Sequence, residues 1–382
     1  MNERLESLDI LRGLDLFLLT CLGPLIMYFL GTGDYSWAES VSHQLNHVSW
    51  EGYVVWDQIM PLFMFMSGVT IPFSMRKYRD RFLAGDFGQA RRVYWRLARR
   101  VASLWVLGMI VQGHLLDLDL NVVRLFSNTL QAIAVGYLFA ALSFLHTKPR
   151  TQICIAAGLL LLYWALMMFV RIGDYGGGDF TRDHNLCEYV DRVVLGRFRD
   201  YASVADDGSV VFPEIYRYTW ILSSLNFVVT VMTGMFAGEI LRSGKGSGSR
   251  KTLVLLGAGA AMVALGWLWN LQMPVIKIIW TSSMVLVSSG YSFILLGCMY
   301  WLVDVKHKGG WLRWLKIYGV NSILAYLLFE VISWKSVAKS LLHGFNHLLG
   351  GPWYALLLMA AGLAINAAIL YYLYKKDIHF RV

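Results

Sequence analysis

Apolar runs of about 20 residues, each bounded by charge, glycine or proline, recur along the whole chain. A helix of that length crosses the ~30 Å hydrocarbon core of a bilayer, and such runs are the hydropathy signature of transmembrane helices. Ten spans are expected, at about 11–32, 54–75, 101–117, 126–145, 153–172, 219–241, 252–272, 279–303, 316–335 and 353–374. Composition agrees. The chain is 57% hydrophobic and 15% charged, with a mean hydropathy of +0.51, where a soluble domain carries about 25% charged residues. The expected fold is an all-α polytopic transmembrane helix bundle, read as a single domain over residues 1–382. Met1 to Arg12 is polar and the run after it lacks a small-residue cleavage site, so no cleavable leader is expected. Cys21, Cys154, Cys187 and Cys298 are scattered, three of them in apolar runs. Neither a disulfide framework nor a metal cluster is suggested.

An even number of spans puts both termini on one side, and the distribution of Lys and Arg says which. With the termini inward, inner segments hold 24 Lys and Arg and outer loops hold 9. The basic inner loop at about 76–100 alone carries nine: Arg76, Lys77, Arg79, Arg81, Arg91, Arg92, Arg96, Arg99 and Arg100. Cytoplasmic termini follow from the positive-inside rule. The net charge of +9 reflects the same asymmetry, so no nucleic-acid partner is expected.

That orientation puts His47 in the first outer loop, about 33–53, which has no Lys or Arg and three acids, Asp34, Glu39 and Glu51. An imidazole at the mouth of a span is a candidate for chemistry or transport. A second outer loop, about 173–218, is too long for a plain turn and is read as a lid or wall over a site. The segment 242–251 reads as a flexible linker. Asp15, Asp57, Gln131, Asn226, Glu239, Asn270, Lys277, Asn321 and Glu330 are costly against lipid and are expected to face the bundle interior or water. His43/His47 and His343/His347 are i,i+4 pairs without a third ligand in sequence, so no metal is expected.

Several ordered motifs now share a pattern. His47-x-x-Trp50-x-Gly52 is followed by Asp57-x-x-x-Pro61-x-Phe63-x-Phe65-x-x-Gly68. Leu130-Gln131 with Tyr137 comes next, then Tyr189-x-Asp191-Arg192-x-x-Leu195-Gly196. Lys277-x-x-Trp280-Thr281-x-Ser283, Tyr318-Gly319-x-Asn321-Ser322 and Tyr374-Lys375-Lys376-Asp377-Ile378 complete the series. The set resembles the heparan-alpha-glucosaminide N-acetyltransferase family, and looks like a bacterial member of the kind linked with N-acetylglucosamine use. It departs from the family pattern at Gly23, Ala132, Ile276 and Phe329, where Asn, Arg, Asn and His are familiar, and this bears on the acceptor.

The resemblance implies transfer of an acetyl group from cytoplasmic acetyl-CoA to an amino sugar, of glucosamine or N-acetylglucosamine type, on the far side. The position of His47 would be the catalytic one. Imidazole suits removal of the acceptor's proton near neutral pH; it could instead carry the acetyl group covalently, and the general-base role in a ternary complex is favoured. Asp57 would orient the imidazole or hold a sugar hydroxyl. Gln131, Lys277 and Asn321 would polarise the thioester carbonyl. Trp50 and Trp280 would offer apolar faces to a sugar or the pantetheine arm. Arg12, Arg99 and Arg100, with Arg124 as a further candidate, would meet the CoA phosphates. Expected partners are a small sugar acceptor and membrane lipid, with a homodimer as an option. The alternative from another class is a proton-coupled sugar or solute transporter using His47, Asp57 and Lys277, although no internal repeat is seen. An envelope-polymer O-acetyltransferase sharing only the opening motif is a third.

Overall fold

The computed structural model describes residues 5–113, 115–116, 118–119, 121–212, 218–244 and 246–380. Among the described residues the protein is an all-α polytopic helix bundle: eight helices are long and apolar enough to cross a membrane. The paired helices Gly310–Val320 and Ser322–Val331, bent by 64° at Asn321, make a ninth if they count as one span. The remaining expected span, 101–117, falls on the helix Ala90–Val111. Five arginines crowd the first half of that helix, so only its last turns are apolar, and it stops at Val111 rather than 117.

The basic stretch 76–100 is a loop only at 84–89. The helices Ile71–Leu83 and Ala90–Val111 run through the rest of it. Arg and Lys are good helix formers whose stems lie along apolar surface while the charge reaches water, so charge density alone does not break a helix. The segment at about 33–53 likewise contains a helix, Ala38–Leu45. The long one contains the helix Leu186–Leu195 and two antiparallel strand pairs, Arg171–Ile172 with Tyr175–Gly176 and Ser203–Val204 with Val210–Val211.

The chain gathers into two compact units. One comprises the residues up to Val48, Val54–Ile59 and the chain from Leu295; the other comprises Ser49–Tyr53 and Met60–Ile294. In the first unit the helix Glu6–Phe17 continues through a π-helical turn, Leu18–Leu22, into Gly23–Leu30. It packs on Lys316–Val320 with backbones touching: a Cβ on Gly13 would lie 1.9 Å from the Leu315 carbonyl oxygen, and one on Gly319 1.8 Å from that of Asp9. Ile10, Val303, Leu312 and Leu315 fill the core beside them.

In the second unit the helix Thr129–His146 is central, flanked by Ser224–Arg242, Ala90–Val111 and Ile71–Leu83. The helix Ile59–Val69 crosses Ser224–Arg242 on glycines, where a Cβ on Gly234 would lie 1.9 Å from the Phe65 carbonyl oxygen. Small residues of this kind let membrane helices approach closely. Gly234→Ala is therefore expected to destabilise the protein by ~1–3 kcal/mol, the usual cost of overpacking, read as a lowered Tm in detergent. An unchanged Tm would show that the crossing is looser than described.

The two ends of this unit differ chemically. At one, Arg79 donates to Glu239 at 2.5 Å and to the Thr147 carbonyl at 3.3 Å, and Arg242 donates to the Pro72 carbonyl at 2.6 Å. The other end, roughly 28 Å away along the 19 residues of Ser224–Arg242, carries the long segment that begins at about 173. Of the in-span polar residues, Asp15, Asp57, Gln131, Asn226, Lys277 and Asn321 are buried as expected. Asn270 and Glu239 are half-buried, and Glu330 is exposed rather than interior.

Candidate active site

The helix Ala38–Leu45 ends at Asn46, whose extended backbone turns the chain and whose amide donates to the Ser42 carbonyl at 3.0 Å. His47 follows, with 46% of its side chain exposed. Ten residues on, a short 3₁₀ turn, Val55–Gln58, starts the next membrane helix and buries Asp57 to 2% exposure. Nδ1 of His47 lies 2.7 Å from Oδ1 of Asp57, while Oδ2 accepts the Val54 N–H at 3.3 Å. The carboxylate is thus fixed by the turn that begins the span. It selects the tautomer with hydrogen on Nδ1, making Nε2 the basic nitrogen of the ring. A buried carboxylate behind an imidazole also stabilises the imidazolium that forms when the ring takes a proton. This is the arrangement of an oriented general base.

The intervening Ser49–Tyr53 belongs to the second unit and is clamped there. Nε1 of Trp50 donates to the Phe180 carbonyl at 2.8 Å, and Arg182 donates to the Ser49 carbonyl while its guanidinium lies 5.5 Å from the Trp50 ring centre. The Gly52 N–H donates to the Val275 carbonyl at 2.8 Å from a φ of 120°, a conformation that favours glycine. Arg182 has no signature in sequence, because it sits without periodicity between acids in a glycine-rich segment.

Val275 opens the segment that carries Lys277, and buried side chains satisfy that segment's backbone. Asn270 accepts the Val275 N–H, Thr281 donates to the Pro274 carbonyl, Tyr163 and Ser223 donate to the Ile279 carbonyl, and Asn226 donates to the Trp280 carbonyl at 2.6 Å. Lys277 is therefore presented from a rigid backbone, itself 6% exposed. Trp280 adopts φ 52° and is 1% exposed, with Nε1 on the Thr230 hydroxyl and Phe227 against its ring edge. It is a core residue that shapes the segment, which corrects its reading as an open face for a sugar.

Three further candidates are corrected in the same way. Gln131 is fully buried; its oxygen accepts the Ser127 and Asn128 N–H groups and its amide donates to the Leu125 carbonyl, so it caps the helix Thr129–His146. Asn321 fills the break in its bent span by donating to the Ile378 carbonyl at 2.9 Å and accepting the Phe380 N–H at 2.8 Å. Arg124 donates to the carbonyls of Asn121 and Ala202 and ties two stretches of chain together. Each looks in sequence like a polar group waiting for substrate, and each is engaged by backbone groups of the chain. Arg12 lies in the first unit, 3.9 Å from Asp9, and Arg99 and Arg100 lie on the basic half of Ala90–Val111.

The long segment that begins at about 173 is braced by buried acids. Asn185 caps the helix Leu186–Leu195 by accepting the Glu188 N–H, and Glu188 in turn pairs with Arg199 and, at 2.8 Å, with Arg192. Asp191 accepts the N–H groups of Trp220 at 2.7 Å and Ile221 at 2.9 Å. Burial pushes its carboxyl up to about 7, against the pull of those two donors and Arg199. The folded state therefore keeps a proton that the unfolded state releases near 4, so this group's contribution is largest below about 4 and is lost as pH rises towards 7. Asp191→Asn is expected to flatten the difference in Tm between pH 4 and 7; an identical pH dependence in parent and variant would overturn the assignment. Among the described residues no group of three His, Cys, Asp or Glu is placed to hold a metal ion.

No family profile matches the chain. It is, however, 28% identical over 378 residues to human heparan-alpha-glucosaminide N-acetyltransferase, covering 87% of this chain and 53% of the human protein. The chain is thus similar to that enzyme over most of its own length. The mouse enzyme of the same name is 26% identical over 433 residues, covering 100% of this chain and 61% of its own length. The chain thus spans about half to three-fifths of the length of the curated relatives it matches.

Proposed function

We propose that the chain is a transmembrane acetyltransferase that moves the acetyl group of cytoplasmic acetyl-CoA to an amino sugar on the periplasmic side of the inner membrane. The observation that carries this reading is the 2.7 Å hydrogen bond between His47 and the buried Asp57, together with the similarity to enzymes named as N-acetyltransferases. Nε2 of His47 takes the proton of the acceptor's amine or hydroxyl as that group attacks the thioester carbonyl. Asp57 holds the tautomer and stabilises the imidazolium. Collapse of the tetrahedral intermediate expels the CoA thiolate, which the imidazolium can protonate. Lys277 is the proposed donor to the acyl oxygen, on the chemical ground that an ammonium on a rigid backbone is preorganised for developing negative charge. Trp50 contributes to the acceptor side and Arg12, Arg99 and Arg100 to the CoA phosphates. Both termini face the cytoplasm in this reading, supported by the 24 Lys and Arg of inner segments against 9 outside.

The transporter reading gains one observation, the broken span at Asn321, since discontinuous helices mark many transporter sites. The amide at the break is nonetheless saturated by the chain's own Ile378 and Phe380, where a transporter would leave it to an ion or solute. The test is a thiol-release assay on purified protein with acetyl-CoA and glucosamine or N-acetylglucosamine. Acceptor-dependent release of CoA with formation of the acetylated sugar is expected. Sugar uptake into proteoliposomes without any affinity for acetyl-CoA would overturn the proposal in favour of transport.

A further inference from the structure

The first unit holds a cavity of about 530 Å³, within the ~300–1,000 Å³ of ordinary ligand pockets. Three elements enclose it: the helix Glu6–Phe17 with its continuation to Leu30, the segment Gly310–Val320, and the last long helix, Gly351–Lys375. Phe17, Trp314 and Tyr318 form one wall. Their rings meet edge to face, with centroids 4.9 Å apart for Phe17 and Trp314 and 5.7 Å apart for Phe17 and Tyr318. Such contacts fix the wall before anything binds. On the facing helix the lining includes Ala360, Ala364, Ala367 and Ala368, whose short side chains leave the space unfilled. From Ala360 to Tyr371 the cavity runs roughly 16 Å along that helix. Trp314, Ala364, Ala368 and Tyr371 remain exposed at its rim, so it is an open trough. No charged residue lines it.

One end of the trough is chemically different. A turn beyond Tyr371 the helix finishes in Lys375 and Lys376, both exposed and, among the described residues, without a carboxylate partner. Asn321, shortly after Lys316, bonds the Ile378 carbonyl just past those lysines at 2.9 Å. The same end therefore carries Arg313 and Lys316, two cations that share one carboxylate, Glu6, at 3.1 Å each. Asp377 is engaged by His379 at 2.9 Å, so the end keeps an excess of positive charge. Trp311, Tyr372 and Tyr374 are exposed there, and exposed Trp, Tyr and Lys at a span end mark the level of lipid headgroups.

We propose that the trough holds one acyl chain of an anionic phospholipid whose headgroup lies against Lys375 and Lys376. An uncharged lining roughly 16 Å long suits an alkyl chain, while a sugar, nucleotide or ion would lose its hydration there without compensation. Basic residues beside a gap between membrane helices are the usual setting for a negative headgroup. Bulk lipid wets any helix surface, but that leaves the ordered ring wall and the unpaired lysines at one end of the trough without a reason. A second copy seated here by two-fold symmetry would press an equally positive end against this one. The proposal does not rest on the transfer reaction.

The test uses the full chain, taken in mild detergent from membranes of phosphatidylglycerol and phosphatidylethanolamine, with bound lipid counted by native mass spectrometry. Two double variants are compared with the parent: Ala364→Leu with Ala368→Leu, and Lys375→Gln with Lys376→Gln. Ala364 and Ala368 border vacant space, so leucine fills the trough rather than pushing on a neighbouring backbone. The parent should keep one phosphatidylglycerol per chain in preference to phosphatidylethanolamine. The leucine variant should lose that lipid about tenfold. The glutamine variant should still hold a lipid but lose the preference for phosphatidylglycerol. Unchanged retention in the leucine variant overturns the acyl-chain site, and an unchanged preference in the glutamine variant overturns the headgroup assignment. A parent that is a lipid-free dimer, with a leucine variant that is a monomer, gives the trough to a second copy and equally overturns the proposal. The glutamine variant changes no packing, so it decides the matter if the leucine variant folds poorly. His47→Ala should retain the parent's lipid, and failure of the acetyl-transfer assay leaves that result standing.

Discussion

His47→Ala is expected to lower acetyl transfer by ~10²-fold or more, the usual scale for losing a positioned general base, while affinity for acetyl-CoA stays near that of the parent. The side chain is almost half exposed, so Tm should move little. Asp57→Asn tests the same dyad from behind. The amide keeps the shape of the carboxylate but can donate to Nδ1, which would put the ring's proton on Nε2, the wrong nitrogen for a base. A large loss of kcat with a steady KM for acetyl-CoA is expected. Near-native turnover in His47→Ala would remove the imidazole from the mechanism and make Asp57 the next base to examine.

How much of this was legible beforehand depends on the range of each signal. Hydropathy is a property of contiguous residues, so the spans stand out, and so does their helical state. The bend at Asn321 escapes because its cause is a hydrogen-bonded tail 57 residues downstream. The helix Ala90–Val111 is read only in its second half, as the span 101–117, because the arginines of its first half lower the hydropathy without lowering helix propensity. In the site, the His47–Asp57 pair was readable because both partners sit in one short segment with a recognisable motif. Gln131 was misread for a related reason: the Asn128-x-x-Gln131 spacing is also a capping pattern, and sequence alone does not say whether a glutamine caps a helix or meets a substrate. Trp280 was misread because an indole beside a lysine resembles a sugar platform until its φ and burial are known. Asp191 and Glu188 fall inside a resemblance motif, yet their partners Trp220 and Arg199 lie 29 and 11 residues away with no periodicity to connect them.

Glu188→Ala should be among the most damaging single changes in the chain. Glu188 and Arg199 both have fully buried side chains, and removing one member of such a pair leaves an uncompensated charge out of water at a cost of ~3–5 kcal/mol. That is a large part of the ~5–15 kcal/mol that holds a typical native state together. Arg192, with 28% of its side chain exposed, can turn to solvent and does not set the cost. Glu188→Gln should be milder because the amide still accepts from the guanidinium. Replacing both members, as Glu188→Met with Arg199→Met, should recover most of the loss, since a packed apolar pair needs no charge compensation. Tm in detergent and proteolysis of the segment 173–212 measure these effects. Loss of Glu188 also leaves Asp191 to interact with Arg199, so the Asp191 carboxyl should ionise at lower pH and the pH dependence of Tm should move down with it. The segment holds Trp50 and Ser49 through Phe180 and Arg182. A partial variant such as Glu188→Gln should therefore raise KM for the acceptor more than for acetyl-CoA. A Glu188→Ala protein within ~1 kcal/mol of the parent would mean that the Arg199 charge reaches water, and the brace would then have to be reassigned to Asp191 alone.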